Sequence, residues 1–199
     1  MRVAGAQPPV IPQGMNSLPL FGKAHEAQAG GDFVWFVYGS SLERGAFSAW
    51  ADQHGYQLPD LRQAAPCRLE GYRLAFDVVS RSWGGAVASL AESPGDFVEG
   101  LAMPMPGSAH GLVDHKEGAV SGLYEPFEVE VTLLAGGGRS RAIAYRAAAG
   151  RRLAAEAAPS LTYLGVLIQG ARQSGLSPTW VERLARLAES SPAPAPGAP

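Results

Sequence analysis

The stretch FVWFVYGSSL, residues 33–42, decides how this chain folds. Residues 33–38 are six apolar or aromatic side chains without a breaker. That is the pattern of a strand covered on both faces, not of a half-solvated, alternating one. The run stops at Gly39-Ser40-Ser41. Leu42, Phe47, Trp50 and Ala51 then recur at helical spacing, so a helix follows, with Ser40 or Ser41 as its N-cap. Strand, glycine turn and helix start fall within a few residues.

Outward from this unit, residues 67–79 read as a strand with a glycine kink. Residues 86–91 and 97–103 read as two more, separated by a turn at Ser93-Pro94-Gly95-Asp96. Residues 107–117 read as a short helix ending at Gly118. From Tyr124 to Leu134 the chain alternates, with Phe127, Val129 and Val131 on one face and Glu128 and Glu130 on the other. Gly136-Gly137-Gly138 makes a hairpin into residues 141–147. Two amphipathic helices follow, over 160–173 and 178–189, the second opened by Pro178. One helix, several hairpin-linked strands and then helices predict an α+β fold: a small mixed, partly closed β-barrel with flanking helices. No G-x-G-x-x-G follows the first strand, which argues against a dinucleotide-binding fold.

The chain has 199 residues and a net charge of −2. Its single cysteine cannot form an intramolecular disulfide or a multi-cysteine metal site. With no basic surplus, nonspecific nucleic-acid binding is not expected. No segment approaches the roughly 20 apolar residues needed to span a bilayer, and no apolar run of signal-peptide length follows Arg2. The expectation is a cytoplasmic monomer or homodimer without nucleic-acid or membrane partners. The 25 glycines and 16 prolines are partly terminal. Residues 1–31 read as an extension, partly flexible or docked on the core through Val10, Ile11, Leu18, Leu20 and Phe21. Residues 191–199, SPAPAPGAP, read as a solvated tail. The catalytic domain is expected over residues 32–190.

Three constellations can carry chemistry. Tyr38-Gly39-Ser40-Ser41-Leu42 ends a buried strand and opens a helix, so its free N–H groups can seat a carboxylate or phosphate. Spacing alone fits an ordinary capped turn better. Asp114-His115-Lys116-Glu117-Gly118 holds a carboxylate that serves as a general base if it lies in a dry pocket. Acids beside a helix-ending glycine are more often solvated, and His115 and Lys116 are expected to face outward. Arg81-Ser82-Trp83-Gly84-Gly85-Ala86 is equally a site wall or a bulge where backbone packs on backbone. The four histidines share no ligand spacing, so no metal is expected. Cys67 reads as a small core residue.

Together these segments resemble the γ-glutamylcyclotransferase family, with its AIG2-like fold. Tyr38-Gly39-Ser40-Ser41-Leu42 is similar to the family's Tyr-Gly-Ser-Asn-Leu loop. Trp83-Gly84-Gly85-Ala86 and Ser93-Pro94-Gly95-Asp96, followed by Val98-x-Gly100, are similar to its Trp-x-Gly-Gly and Ser-Pro-Gly-Asp segments. Asp114-x-x-Glu117-Gly118-x-x-Ser121-Gly122-x-Tyr124 is similar to the segment bearing its catalytic glutamate. Pro159-Ser160-x-x-Tyr163, Gly170-Ala171 and Gly175-Leu176 are similar to its C-terminal helices. The likeness spans residues 33–188 and reverses the preference for solvated or merely capping roles.

The resemblance implies a small barrel without a cofactor, acting on a γ-glutamyl amide or dipeptide. The substrate's α-amine attacks its own γ-carbonyl, giving 5-oxoproline and a free amine or amino acid. Glu117 is then the general base. The backbone of Gly39, Ser40, Ser41 and Leu42, after Tyr38, holds the substrate carboxylate or the oxyanion. Tyr124 and Tyr145 line the pocket with their hydroxyls. Two departures bear on the substrate: Ser41 stands where the family has Asn, and His115-Lys116 replaces more acidic neighbours of the glutamate. Two alternatives remain open. One is a tailoring enzyme that removes a γ-glutamyl protecting group by the same chemistry. The other is a non-catalytic ligand-binding module of the same fold.

Overall fold

The computed structural model describes residues 31–190. The expected extension before residue 31 and the tail over 191–199 lie outside the described residues. Five strands, β1 (Phe33–Val37), β2 (Ala65–Ser80), β3 (Gly85–Met105), β4 (Tyr124–Leu133) and β5 (Arg139–Ala147), close a barrel in the order β1-β3-β2-β4-β5. Neighbours are antiparallel except β1 and β5, which meet in parallel with Trp35 beside Ile143. The expected α+β architecture with a small mixed barrel is present, and the barrel is closed. Four helices flank it: α1 (Arg44–Gln53), α2 (His110–Lys116), α3 (Leu161–Gln173) and α4 (Pro178–Ser190).

All five residues of β1 are buried, because the strand lies between β3 and β5 with helices over its outer face. Trp35 meets Phe47 of α1 edge to face at 5.7 Å, and Phe33 stacks on His110 of α2 at 3.9 Å. That double cover is why the sequence shows an unbroken apolar run.

Two expectations about local structure are corrected. The segment Ser93-Pro94-Gly95-Asp96 does not separate two strands. It is a bulge inside the continuous β3, since Glu92 pairs with Tyr72 and Phe97 with Glu70 on the same partner, β2. Four residues of β3 oppose the single Gly71 of β2, and Gly95 (φ +86°) supplies the left-handed backbone that the bulge requires. The bulge has a second role. Asp96 projects from it and takes two hydrogen bonds from Arg183 of α4, at 2.6 and 2.8 Å.

The helix cap is also different. Ser40 and Ser41 do not cap α1. With Leu42 they form a 3-10 turn (Ser40–Leu42), and Glu43 caps the helix by accepting the N–H groups of Gly45 and Ala46. The turn leaves the serine hydroxyls free of capping duty.

Glu99 of β3 is fully buried and binds the junction of α3 and α4 to the barrel. It accepts from Arg68 (2.8 Å) and from the Ser177 N–H and hydroxyl (2.8 and 2.9 Å). Gly170 of α3 lies so close to the 39–43 loop that a Cβ there would approach the Glu43 nitrogen to 2.6 Å. The helix therefore presses backbone against backbone on the loop that follows β1.

Candidate functional site

A cavity of about 780 Å³ opens at the end of β1. One wall is the 38–41 segment with α1, a second is the β2–β3 hairpin at residues 79–83, and a third is the end of α2 with Glu117 and Gly118. Tyr124 and Tyr163 also line it. The structure thus brings Tyr38, Gly39, Ser40, Ser41, Glu117 and Tyr124 into one concavity.

Local chemistry explains the position of Glu117. It is the C-cap of α2, its N–H bonded to the Val113 carbonyl at 2.9 Å. Gly118 follows at φ +69°, a left-handed conformation that ends the helix and turns the chain. Buried Leu112 and Val113 fix the inner face of α2. The Glu117 side chain is left half-buried at the cavity wall, with no hydrogen bond or ion pair to any described residue. Burial pushes its carboxyl up to about 7, and the adjacent Lys116 ammonium opposes that rise. It is the sole carboxylate lining the cavity among the described residues. Such a group takes up or releases a proton near neutrality.

Across the cavity, the 3-10 turn uses the Leu42 N–H for a bond to the Gly39 carbonyl and the Glu43 N–H for one to Ser40. Contrary to expectation, Leu42 offers no amide to the cavity: its N–H is consumed within the turn and its side chain is buried in the core. Ser40 and Ser41, at the start of the turn, keep N–H groups outside its bonding pattern. A Cβ on Gly39 would meet nothing nearer than the Tyr163 hydroxyl at 3.9 Å, so this glycine leaves its side of the cavity open.

The tyrosines divide into two groups. Tyr124 donates to the Ala88 carbonyl at 2.7 Å, and the Ala88 N–H donates to the Tyr163 hydroxyl at 3.1 Å. Both rings are thus held on one β3 residue at the cavity floor. Tyr145 is different and corrects the expectation that it lines the pocket. It is buried behind the wall, its hydroxyl donating to Asp114 at 2.6 Å and its carbonyl accepting from the Tyr38 hydroxyl at 2.5 Å.

His115 and Lys116 do not simply face outward. Both line the cavity with Trp50. His115 shares a 3.0 Å hydrogen bond with the Tyr56 hydroxyl, and the Lys116 ammonium lies 5.0 Å from the Trp50 ring centre. The hairpin segment proves to be both things it could be. Arg81, Ser82 and Trp83 line the cavity, while Gly85 packs on the backbone before α3, where a Cβ would meet the Ser160 nitrogen at 2.8 Å. Tyr163 was not foreseen as a site residue, although Ser160 three positions earlier marks the helix start that aims it: the Ser160 hydroxyl accepts the Tyr163 N–H and donates to the Trp83 carbonyl.

Cys67 is a buried core residue whose thiol burial pushes far above its ordinary range. Among the described residues no group of three or more His, Cys, Asp or Glu is placed to hold a metal, and no helix is long and apolar enough to cross a membrane.

The sequence and the fold are similar to those of known proteins. Residues 97–184 match the model of the AIG2-like family. The chain is 30% identical to the γ-glutamylcyclotransferase of Bos taurus over 162 residues, covering 79% of this chain and 80% of that protein. It is 29% identical to that of Mus musculus over 166 residues, covering 81% and 82%. A solved structure of a γ-glutamyl cyclotransferase superposes with a TM-score of 0.68 at 27% identity, over 84% of this chain and 92% of that one.

Proposed function

The chain belongs to the γ-glutamylcyclotransferase family and is an enzyme of that type, and from that premise we propose that it cyclises a γ-glutamyl amide or dipeptide to 5-oxoproline. The observation that carries this reading is the unpartnered Glu117 carboxyl, poised to ionise near pH 7, in the same cavity as the Ser40 and Ser41 amides.

The reaction follows from that arrangement. The nucleophile is already attached to its electrophile, so the protein must fold the substrate back, move two protons off the α-ammonium and steady one charge. Glu117 takes a proton from the substrate's α-ammonium. The amine adds to the γ-carbonyl, closing a five-membered ring and placing negative charge on the carbonyl oxygen. The Ser40 and Ser41 N–H groups receive that charge or the substrate's α-carboxylate. Collapse breaks the bond to the leaving nitrogen, which takes that proton from Glu117; the carboxylate then accepts the second proton from the ring nitrogen and passes it to the departing amine, which leaves as its ammonium. The products are 5-oxoproline and a free amine, and the base is restored.

The cavity extends past Glu117 to Trp50, Arg81 and Lys116, leaving room for the departing group. Neither Arg81 nor Lys116 forms an ion pair with a carboxylate among the described residues. A departing group with its own carboxylate suits that wall, so γ-glutamyl amino acids are expected to react faster than γ-glutamyl amines.

The test is to incubate the protein with a panel of both classes and measure 5-oxoproline. Turnover of the amino-acid series, with a 10²- to 10⁴-fold loss in Glu117→Gln, supports the reading. Absence of 5-oxoproline from every member, or a Glu117→Gln variant with full activity, rejects it.

A further inference from the structure

We infer that Tyr145 is a positioning residue that holds the two halves of the site in register, binding α2 and the end of β1 to the same point on β5. The inference rests on the reading of Glu117 as the base, but its geometry is independent of the substrate.

Tyr145 belongs to β5, the strand that closes the barrel against β1. Its hydroxyl donates to Asp114 at 2.6 Å, one helical turn before Glu117. Its carbonyl accepts the Tyr38 hydroxyl at 2.5 Å, and Tyr38 immediately precedes Gly39 and the serine turn. One residue therefore grips the helix that presents the carboxylate and the strand that presents the amides. α2 is only seven residues long, too short to be rigid by its own hydrogen bonds. Its first turn is held by the Phe33–His110 stack, and Leu112 and Val113 are buried. The Asp114–Tyr145 bond fastens its last turn to the barrel, while His115 ties the same turn to Tyr56 after α1. Without the bond to Tyr145, that turn can rock on its apolar face and carry Glu117 out of line, and a misplacement of about 1 Å costs up to about 10²-fold in rate.

Three substitutions isolate the hydroxyl link. Tyr145→Phe removes the donor but keeps the carbonyl that receives Tyr38. Asp114→Ala removes the acceptor, and Asp114→Asn keeps one. In folded Tyr145→Phe, kcat is expected to fall about tenfold with KM within about twofold, because the amide cradle keeps its anchor. Asp114→Ala should reproduce that loss, Asp114→Asn should retain most of the wild-type rate, and the double variant should be no slower than the slower single one. If Tyr145→Phe does not fold, the Asp114 pair alone decides.

A readout without turnover accompanies the kinetics. The Glu117 carboxyl is titrated by NMR with ¹³C-labelled glutamate and assigned with Glu117→Gln. Its midpoint should lie near 7 in the wild type and move toward the ordinary carboxylate range in Tyr145→Phe and Asp114→Ala. An unmoved midpoint in both variants, an unchanged kcat, or losses that add in the double variant would overturn the assignment. A wild type that makes no 5-oxoproline would defeat the cyclotransferase reading instead, and the titration would still decide the role of Tyr145.

Discussion

Replacing Glu117 with Gln should make the protein more stable and far less active, and the stability gain should depend on pH in a defined direction. Burial raises the Glu117 carboxyl from an ordinary 4.5 to about 7, so the folded state holds this proton more tightly than the unfolded chain does. The contribution is fully present below the unfolded value and is lost as pH rises through the folded one. Between about pH 4.5 and 7 the wild type therefore loses about 1.4 kcal/mol per pH unit from this group, about 3 kcal/mol in all. Glutamine has the shape of the protonated acid and does not ionise. The gap in favour of Glu117→Gln should widen from about 1 kcal/mol or less at pH 5 to about 3 kcal/mol at pH 8. Urea unfolding of both proteins at the two pH values, with the slope of the transition checked for constancy, measures it. A gap that stays constant with pH, or a wild type that gains on the variant as pH rises, would refute the claim that Glu117 is held in a desolvating cavity.

Three further outcomes follow from the same structure. Lys116→Met removes the ammonium that opposes the rise at Glu117, so the acidic limb of kcat/KM should move above its wild-type position near pH 7; initial rates against pH read the shift, and movement toward lower pH contradicts it. Gly170→Ala drives a methyl group into the backbone of Leu42 and Glu43, at 2.6–2.7 Å; the strain should cost about 1–3 kcal/mol by thermal or urea unfolding and disturb substrate binding at the neighbouring turn, seen as a raised KM. Glu99→Ala leaves the Ser177 N–H and the partly buried Arg68 guanidinium without their acceptor, and should cost about 2–3 kcal/mol in urea unfolding while leaving KM unchanged in protein that remains folded.

Much of the fold was legible because local chemistry dictates it. The apolar run of β1, the alternation of β4, the triple glycine before β5 and the Ser160 and Pro178 helix starts each depend on neighbours in the chain. The bulge at residues 93–96 was not legible as a bulge. Pro-Gly reads as a reversal from local propensity alone, and only continued pairing of both flanks with β2 keeps the strand running. Capping went the same way: serine is a good cap, but α3 presses on this loop and shapes it into a 3-10 turn, leaving Glu43 as the cap.

The site divides along the same line. The sequence by itself determined the residue types and their order: a glycine-serine turn after a buried strand, a glutamate before a helix-ending glycine, and tyrosines on later elements. Their proximity was settled by tertiary structure. Barrel closure brings the end of β1 against β5, and only then do Tyr38, Tyr145 and Asp114 form one hydrogen-bonded chain. Whether a tyrosine lines a cavity or braces the wall behind it is not set by strand face: the β4–β5 register puts Tyr124 and Tyr145 on the same face. They differ in position along the barrel and in what their hydroxyls reach, Ala88 for Tyr124 and Asp114 for Tyr145. The proton affinity of Glu117 is tertiary as well. It comes from withdrawal of the carboxyl from water by walls drawn from segments far apart in the chain, an interaction that local spacing does not encode.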